Sequence, residues 1–292
     1  MKRTLAAVVA LGTMFATGLT AAPAASATSR GAEPGLYLLE GNGTLSVRDS
    51  QHPLLALHRV KVNGLNAHDR LVGIDVRPAT AKLYAIGKSG QLYTLDVKSG
   101  RASAVGTAAA GAVGTTVGFD FNPTVDRIRL VQSDGRNLRL HPDTGAVAGV
   151  DTTLAYAAGG SVPKVAAAAY TDSFAGATTT GLYGLDARRD TLVTQGTLPG
   201  TTPAVSPNTG QLFTVGRLGA DISAVNGFDI TGKGKVAGSY NARDYDAIAA
   251  VQGEHGLFNG SKLVRVDLRT GRTTPLLALG LGEVVGLAYA AR

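Results

Sequence analysis

Residues 71–100, LVGIDVRPATAKLYAIGKSGQLYTLDVKSG, recur without a gap as residues 116–145, TVGFDFNPTVDRIRLVQSDGRNLRLHPDTG, at a constant offset of 45. Seven pairs are identical: Val72/Val117, Gly73/Gly118, Asp75/Asp120, Pro78/Pro123, Gly90/Gly135, Leu95/Leu140 and Gly100/Gly145. A period of about 40–50 residues, built from short apolar runs divided by Gly, Pro and Asp turns, is the pattern of a β-propeller blade. Four strands fit each copy. In the first copy they are 71–76, 82–86, 91–97 and 101–106, broken at Pro78, Ser89-Gly90 and Ser99-Gly100.

Weaker copies follow. One has strands at 165–170, 181–186, 191–195 and 211–215; another opens at 225–230, with its third strand at 262–268. Residues 241–255 look irregular, so the last blade is where the count is open. Two Ala-rich stretches, 102–112 and 166–169, have helical propensity, but their place in the repeat makes the first a fourth strand and loop and the second a first strand.

The termini complete the pattern. Residues 36–39 and 43–45 match 83–86 and 90–92 at an offset of 47, so the domain starts on a second strand; residues 284–289 match 71–76 and supply the missing first one. The expectation is an all-β chain, a β-propeller of four-stranded antiparallel blades closed by pairing of the C-terminal strand with the N-terminal blade. Five blades are expected (284–290 with 35–70, then 71–115, 116–164, 165–222 and 223–283), with six as the alternative if the long third or fifth copy divides. Closure removes the sheet edges that an open array would expose.

The chain has 292 residues, no cysteine and a net charge of +7. Lys2 and Arg3 precede an apolar stretch ending in Ala25-Ser26-Ala27, the form of a secretory signal peptide at 1–27. A short linker, 28–34, then leads into a single domain at 35–292. Cleavage removes two cations and leaves +5 on a chain expected to be secreted or cell-wall-associated and monomeric. Without Cys there is no thiol nucleophile, Cys-ligated zinc or iron–sulfur cluster. The longest basic run after the leader is Arg188-Arg189, which argues against nucleic acid, and no later stretch is long and apolar enough to span a bilayer.

The phrases GIDVRP, GFDFNPTVDRIRLV, NLRLHPDTGAV and AAAYTDSFAGATTTGLYGLD at 167–186 resemble a bacterial family designated domain of unknown function 4394. The resemblance covers essentially the whole mature chain. It implies a propeller in an exported or surface protein and brings no activity with it.

Candidate chemistry gathers where first strands end. Asp75, Arg77, Asp120, Asn122, Asp172 and Asp229 occupy comparable places in four copies. As a ring of carboxylates they would suit Ca²⁺, which prefers six to eight oxygen ligands; as structural residues they would hydrogen-bond the backbone of a neighbouring blade. Asp126, Arg127 and Arg129 suit either a carboxylate or phosphate clamp or an inter-blade ion-pair network. Among the five histidines, His68, before a first strand, is the best placed for a channel mouth. There is no nucleophile elbow, P-loop or zincin motif. Leu–Tyr pairs such as Leu83-Tyr84 read as packing on the two blade faces or, less simply, as a sugar platform. Two functions remain open: a binding module for an extracellular protein, glycan or small ligand, or an exported hydrolase, lyase or lactonase using a metal held by channel carboxylates.

Overall fold

A computed structural model of the chain describes residues 35–290 apart from 115, 223, 234–238, 253–259 and 279–281. The expected leader and linker, and His255, lie outside the described residues.

Five antiparallel sheets form five blades. Blade 1 combines Val284–Tyr289 with Gly35–Glu40, Thr44–Asp49 and Ala56–Lys61; blade 2 is Leu71–Arg77, Lys82–Gly87, Leu92–Leu95 and Ala102–Val105. Blade 3 is Val117–Asn122, Arg127–Gln132, Asn137–Leu140 and Val147–Val150; blade 4 is Val165–Tyr170, Leu182–Asp186, Thr191–Gln195 and Gln211–Arg217. Blade 5 is Ala224–Gly232, Tyr245–Gln252, Lys262–Val266 and Thr273–Ala278. The C-terminal strand lies antiparallel to the N-terminal one, with Leu36 opposite Tyr289 and Leu38 opposite Leu287. The first strands of successive blades are neighbours all the way round, blade 5 meeting blade 1, so the ring is closed.

Apolar side chains sit on both faces of each blade because each blade is sandwiched between two others. In Lys82–Gly87, Leu83 and Ala85 face blade 1 while Tyr84 and Ile86 face blade 3. Five buried clusters result, one per blade interface. Tyr84 meets Phe121 edge to face at 5.2 Å across the interface of blades 2 and 3.

The third-to-fourth turns explain one identical pair of the repeat. Gly100, Gly145, Gly210 and Gly271 all have φ between 67° and 78°. A Cβ on them would lie 2.2, 2.8, 2.3 and 2.6 Å from backbone oxygens of Lys61, Thr107, Thr152 and Gly216, each at the end of the preceding blade. Only glycine tolerates both the left-handed backbone and this approach.

The structure refines the sequence reading in four places. The third and fourth strands of blade 2 are shorter than expected because Asp96 accepts from the backbone of Lys98 and Ser99 and draws the flanking residues into the turn. Blade 4 gains Ala155–Tyr156, a parallel strand on its outer edge. In the last blade Tyr245–Gln252 form an eight-residue second strand within the stretch expected to be irregular, whose residues 253–255 lie outside the described residues. Neither long copy divides, which sets aside six blades. Among the described residues the only helical pieces are the single 3₁₀ turns Pro207–Thr209 and Ala242–Asp244.

Candidate functional site

The axis is closed by small residues. Gly286, Gly73, Gly118, Ala167 and Gly227 occupy one level of the five first strands. A Cβ on Gly118 would lie 2.6 Å from the Ala168 Cβ, and one on Gly227 would lie 2.6 Å from the Leu287 Cβ. The free volume left here is about 10 Å³, at the lower limit for a single water.

Two residues further along stand Ala288, Asp75, Asp120, Ala169 and Asp229, in ring order. The three carboxylates are buried, and one oxygen of each lies within 4.8 Å of the others. The axis-facing edge of a first strand has no strand partner, so its N–H groups need another acceptor. Asp75 accepts from Val76 of its own strand and Phe121 of blade 3, both at 2.7 Å. Asp120 accepts from Tyr170 of blade 4 at 2.9 Å. Asp229 accepts from Ile230 of its own strand at 2.6 Å and Tyr289 of blade 1 at 2.7 Å.

The rule is simple: each amide goes to the Asp of the preceding blade, and where that blade carries Ala288 or Ala169 the strand's own Asp takes it. Three carboxylates thereby serve five amides. Burial, reinforced by Asp229, pushes Asp75 well above the usual carboxylate range, against the amides of Phe121 and Val76. Burial, with Asp75 and Asp229 adding, does the same to Asp120. Burial raises Asp229 to about 7 despite its two amides. Such a cluster holds protons near neutrality rather than three full charges.

Asp172 does not join this ring. It lies three positions past Ala169, where the chain has turned into left-handed backbone (φ 58°), and its Oδ1 accepts from Tyr245 Oη at 2.8 Å. Tyr245 stacks on Tyr240, which hydrogen-bonds Tyr183, so Asp172 belongs to a tyrosine network between blades 4 and 5. His68 is exposed at the opposite end of Leu71–Arg77, also left-handed (φ 63°), and is separated from the ring by most of that strand.

Arg77 and Asn122 lie past the ring too. Arg77 spans to blade 3, pairing with both oxygens of Asp126 and with Asp143 at 2.6 Å. Asn122 Oδ1 caps the following turn, accepting from the Thr124 amide and hydroxyl. Asp126 thus parts company with Arg127 and Arg129, because its left-handed backbone (φ 51°) carries it toward Arg77.

Arg127 and Arg129 meet instead in a cleft of about 180 Å³ between blades 3 and 4, together with Arg139, Asn122 and Asn208. Arg129 is 2% exposed; it donates to Asp151 at 2.5 Å, to Asn137 and Asn208 at 2.7 Å, and to Tyr170 Oη at 3.3 Å. Arg139 grips Asp151 from the other side through Nε and Nη2, at 2.9 and 2.8 Å. Burial works to raise Asp151, but the bonds from Arg139 and Arg129 prevail and hold it below the usual range. Asp143, Asp151, Arg139 and Asn208 were not singled out from the sequence. Arg139 lies on the third strand opposite Arg129, and the others lie in turns or just past a fourth strand, where the repeat carries no identity that marks them.

Solved structures with similar backbones are distant. One titled dihydro-heme d1 dehydrogenase NirN in complex with DHE shows 10% identity and a TM-score of 0.39, covering 85% of this chain and 44% of that one. A mitotic checkpoint complex shows 12% identity and a TM-score of 0.36, covering 87% of this chain and 64% of that one. The chain spans less than two thirds of either. No curated protein matches the sequence significantly. A family model described as a domain of unknown function (DUF4394) matches residues 44–288, most of the chain, and the protein belongs to that family.

Proposed function

We propose that the protein is an exported binding module without catalysis of its own. Its ligand surface is the end of the ring that carries the first-to-second and third-to-fourth strand turns. The observation that supports this reading is how the axial carboxylates are used. Five of their six oxygens already accept a backbone N–H, beside a closed axis of about 10 Å³. A general acid or base must reach a substrate or a water, and these do not face one. A metal-dependent hydrolase, lyase or lactonase would need carboxylate lone pairs aimed into shared space. Here five N–H groups take up lone pairs of those oxygens, so fewer remain for a cation.

Open volume lies elsewhere, and three openings lined by described residues share that end of the ring. There are grooves of about 390 Å³ in blade 5 and 360 Å³ in blade 2, and the cleft of 180 Å³ between blades 3 and 4, each lined in part by Arg or Lys. Export rests on Lys2, Arg3 and the Ala25-Ser26-Ala27 site.

Titration with Ca²⁺ into the millimolar range, followed by thermal melting, tests the reading. The midpoint is expected to stay put, and a saturable rise would overturn it in favour of a metal-bearing ring. For export, N-terminal sequencing of protein from the culture medium should begin at Thr28; intracellular protein retaining residues 1–27 would refute that part.

A further inference from the structure

The cleft between blades 3 and 4 has more positive charge than its own fold uses. Three guanidiniums, Arg127, Arg129 and Arg139, line it, and the carboxylate they meet, Asp151, is held between two of them. Arg139 commits Nε and Nη2 to Asp151, and Arg129 Nη2 commits one hydrogen to Asn208. Arg127 donates through Nη1 alone, to the carbonyls of Val125 and Asp126. That leaves Nη1 of Arg139, and Nε and Nη2 of Arg127, without a hydrogen-bond partner among the described residues. The blade 5 groove also carries surplus cations, but its pairs to Asp246 are 3.8 and 3.9 Å long and its basic side chains are half exposed. In the cleft, by contrast, Asp151, buried beside Arg129, holds Arg139 in place, and Arg127 is tethered to its own turn, so little side-chain freedom of Arg139 is lost on binding.

Building on the binding-module reading, we propose that this cleft is a site for one tetrahedral oxyanion, a phosphate or sulfate group. Arg127 and Arg139 donate to it from two sides, and the volume admits the group with part of whatever carries it.

The test is thermal melting of the full chain against inorganic phosphate, sulfate and methyl phosphate, at ionic strength held constant with NaCl. Arg127→Ala is the informative variant because that guanidinium binds only its own turn, so the interface survives its removal. Lys88→Ala, on the opposite end of the ring, removes the same charge elsewhere. The expected result is a saturable rise in midpoint in the wild type and in Lys88→Ala, with affinity at least about tenfold weaker in Arg127→Ala. An equal rise in wild type and Arg127→Ala, which marks a general salt effect, or no rise at all, would overturn the proposal. Methyl phosphate binding more tightly than inorganic phosphate identifies a phosphate ester as the source, and the reverse order identifies the free ion. A response to Ca²⁺ would overturn the non-catalytic reading without touching this result; indifference to anions would overturn the oxyanion site and leave that reading in place.

Discussion

Two adjacent blade interfaces use the same parts in opposite proportion. Between blades 2 and 3, one guanidinium, Arg77, faces two carboxylates, Asp126 and Asp143. Between blades 3 and 4, one carboxylate, Asp151, sits between Arg129 and Arg139, with Arg127 beside them. Bonds from Asp126 and Asp143 outweigh burial and drive Arg77 upward, and Asp143 is in turn held low by Arg77. The first interface has no positive charge to offer a ligand, whereas at the second three guanidiniums meet one carboxylate; one of the three, Arg127, also helps to hold Asp143 low. At the first boundary the ion pairs cross from blade to blade as architecture; at the next they lie within blade 3, Arg129 reaches across only through its bonds to Asn208 and Tyr170, and the count of charges leaves an opening for recognition.

The largest effect that would sharpen this contrast is Asp151→Ala. It strands a buried guanidinium, so urea unfolding should report a loss of about 3–5 kcal/mol. A loss under about 1 kcal/mol would mean that Asp151 does not organise the cleft, and the contrast would collapse.

Next comes pH, which separates the axial ring from both interfaces. Asp229 is raised to about 7 when folded, so between about pH 4 and 7 the folded state binds more protons than the unfolded one and stability falls as pH rises. Asp151 and Asp143 are lowered, so their contribution is present above the ordinary carboxylate range and is lost as acid protonates them. Thermal melting across pH should therefore peak on the acid side of neutrality. The decline toward pH 7 should be of order a few kcal/mol and flatten in Asp229→Asn. A curve that rises steadily up to pH 7 would contradict the protonated ring.

Smaller is Arg77→Ala, which leaves two partly exposed carboxylates and should lose about 1–2 kcal/mol by urea unfolding, with anion affinity unchanged. Smallest is Asp143→Asn, at an exposed position, under about 1 kcal/mol. Weaker anion binding in Arg77→Ala would show that the two interfaces act as one site.

The repeat made the ring legible because each propeller blade is a local unit: strands, turns and the position of the missing first strand are written within about 45 residues. Asp75, Asp120 and Asp229 stood out for the same reason. Asp172 shares only their nearness to a strand end: Ala169 holds the place of Asp75 in the strand 165–170, and the left-handed backbone two residues beyond that strand, which the repeat does not express, turns Asp172 to Tyr245. Asp151 and Arg139 do not stand out in the repeat because sheet register joins them to Arg129: Arg139 on the third strand lies opposite Arg129 on the second, and Asp151 follows the fourth strand that pairs with the third.

By itself, then, the sequence determined an all-β propeller, a count of five blades with six left open, its closure by the C-terminal strand and the recurrence of Asp near the ends of first strands, since these depend on local pattern and turn chemistry. Only the tertiary structure decided why two blades carry Ala288 and Ala169 at the Asp position. The amides they fail to serve are taken by Asp75 and Asp229, an exchange that exists only when five strands face one another across the axis. It likewise decided where charge is left over, because a surplus is a property of which side chains meet, and the blades that meet at the arginine cleft bring together residues as far apart as 127 and 208.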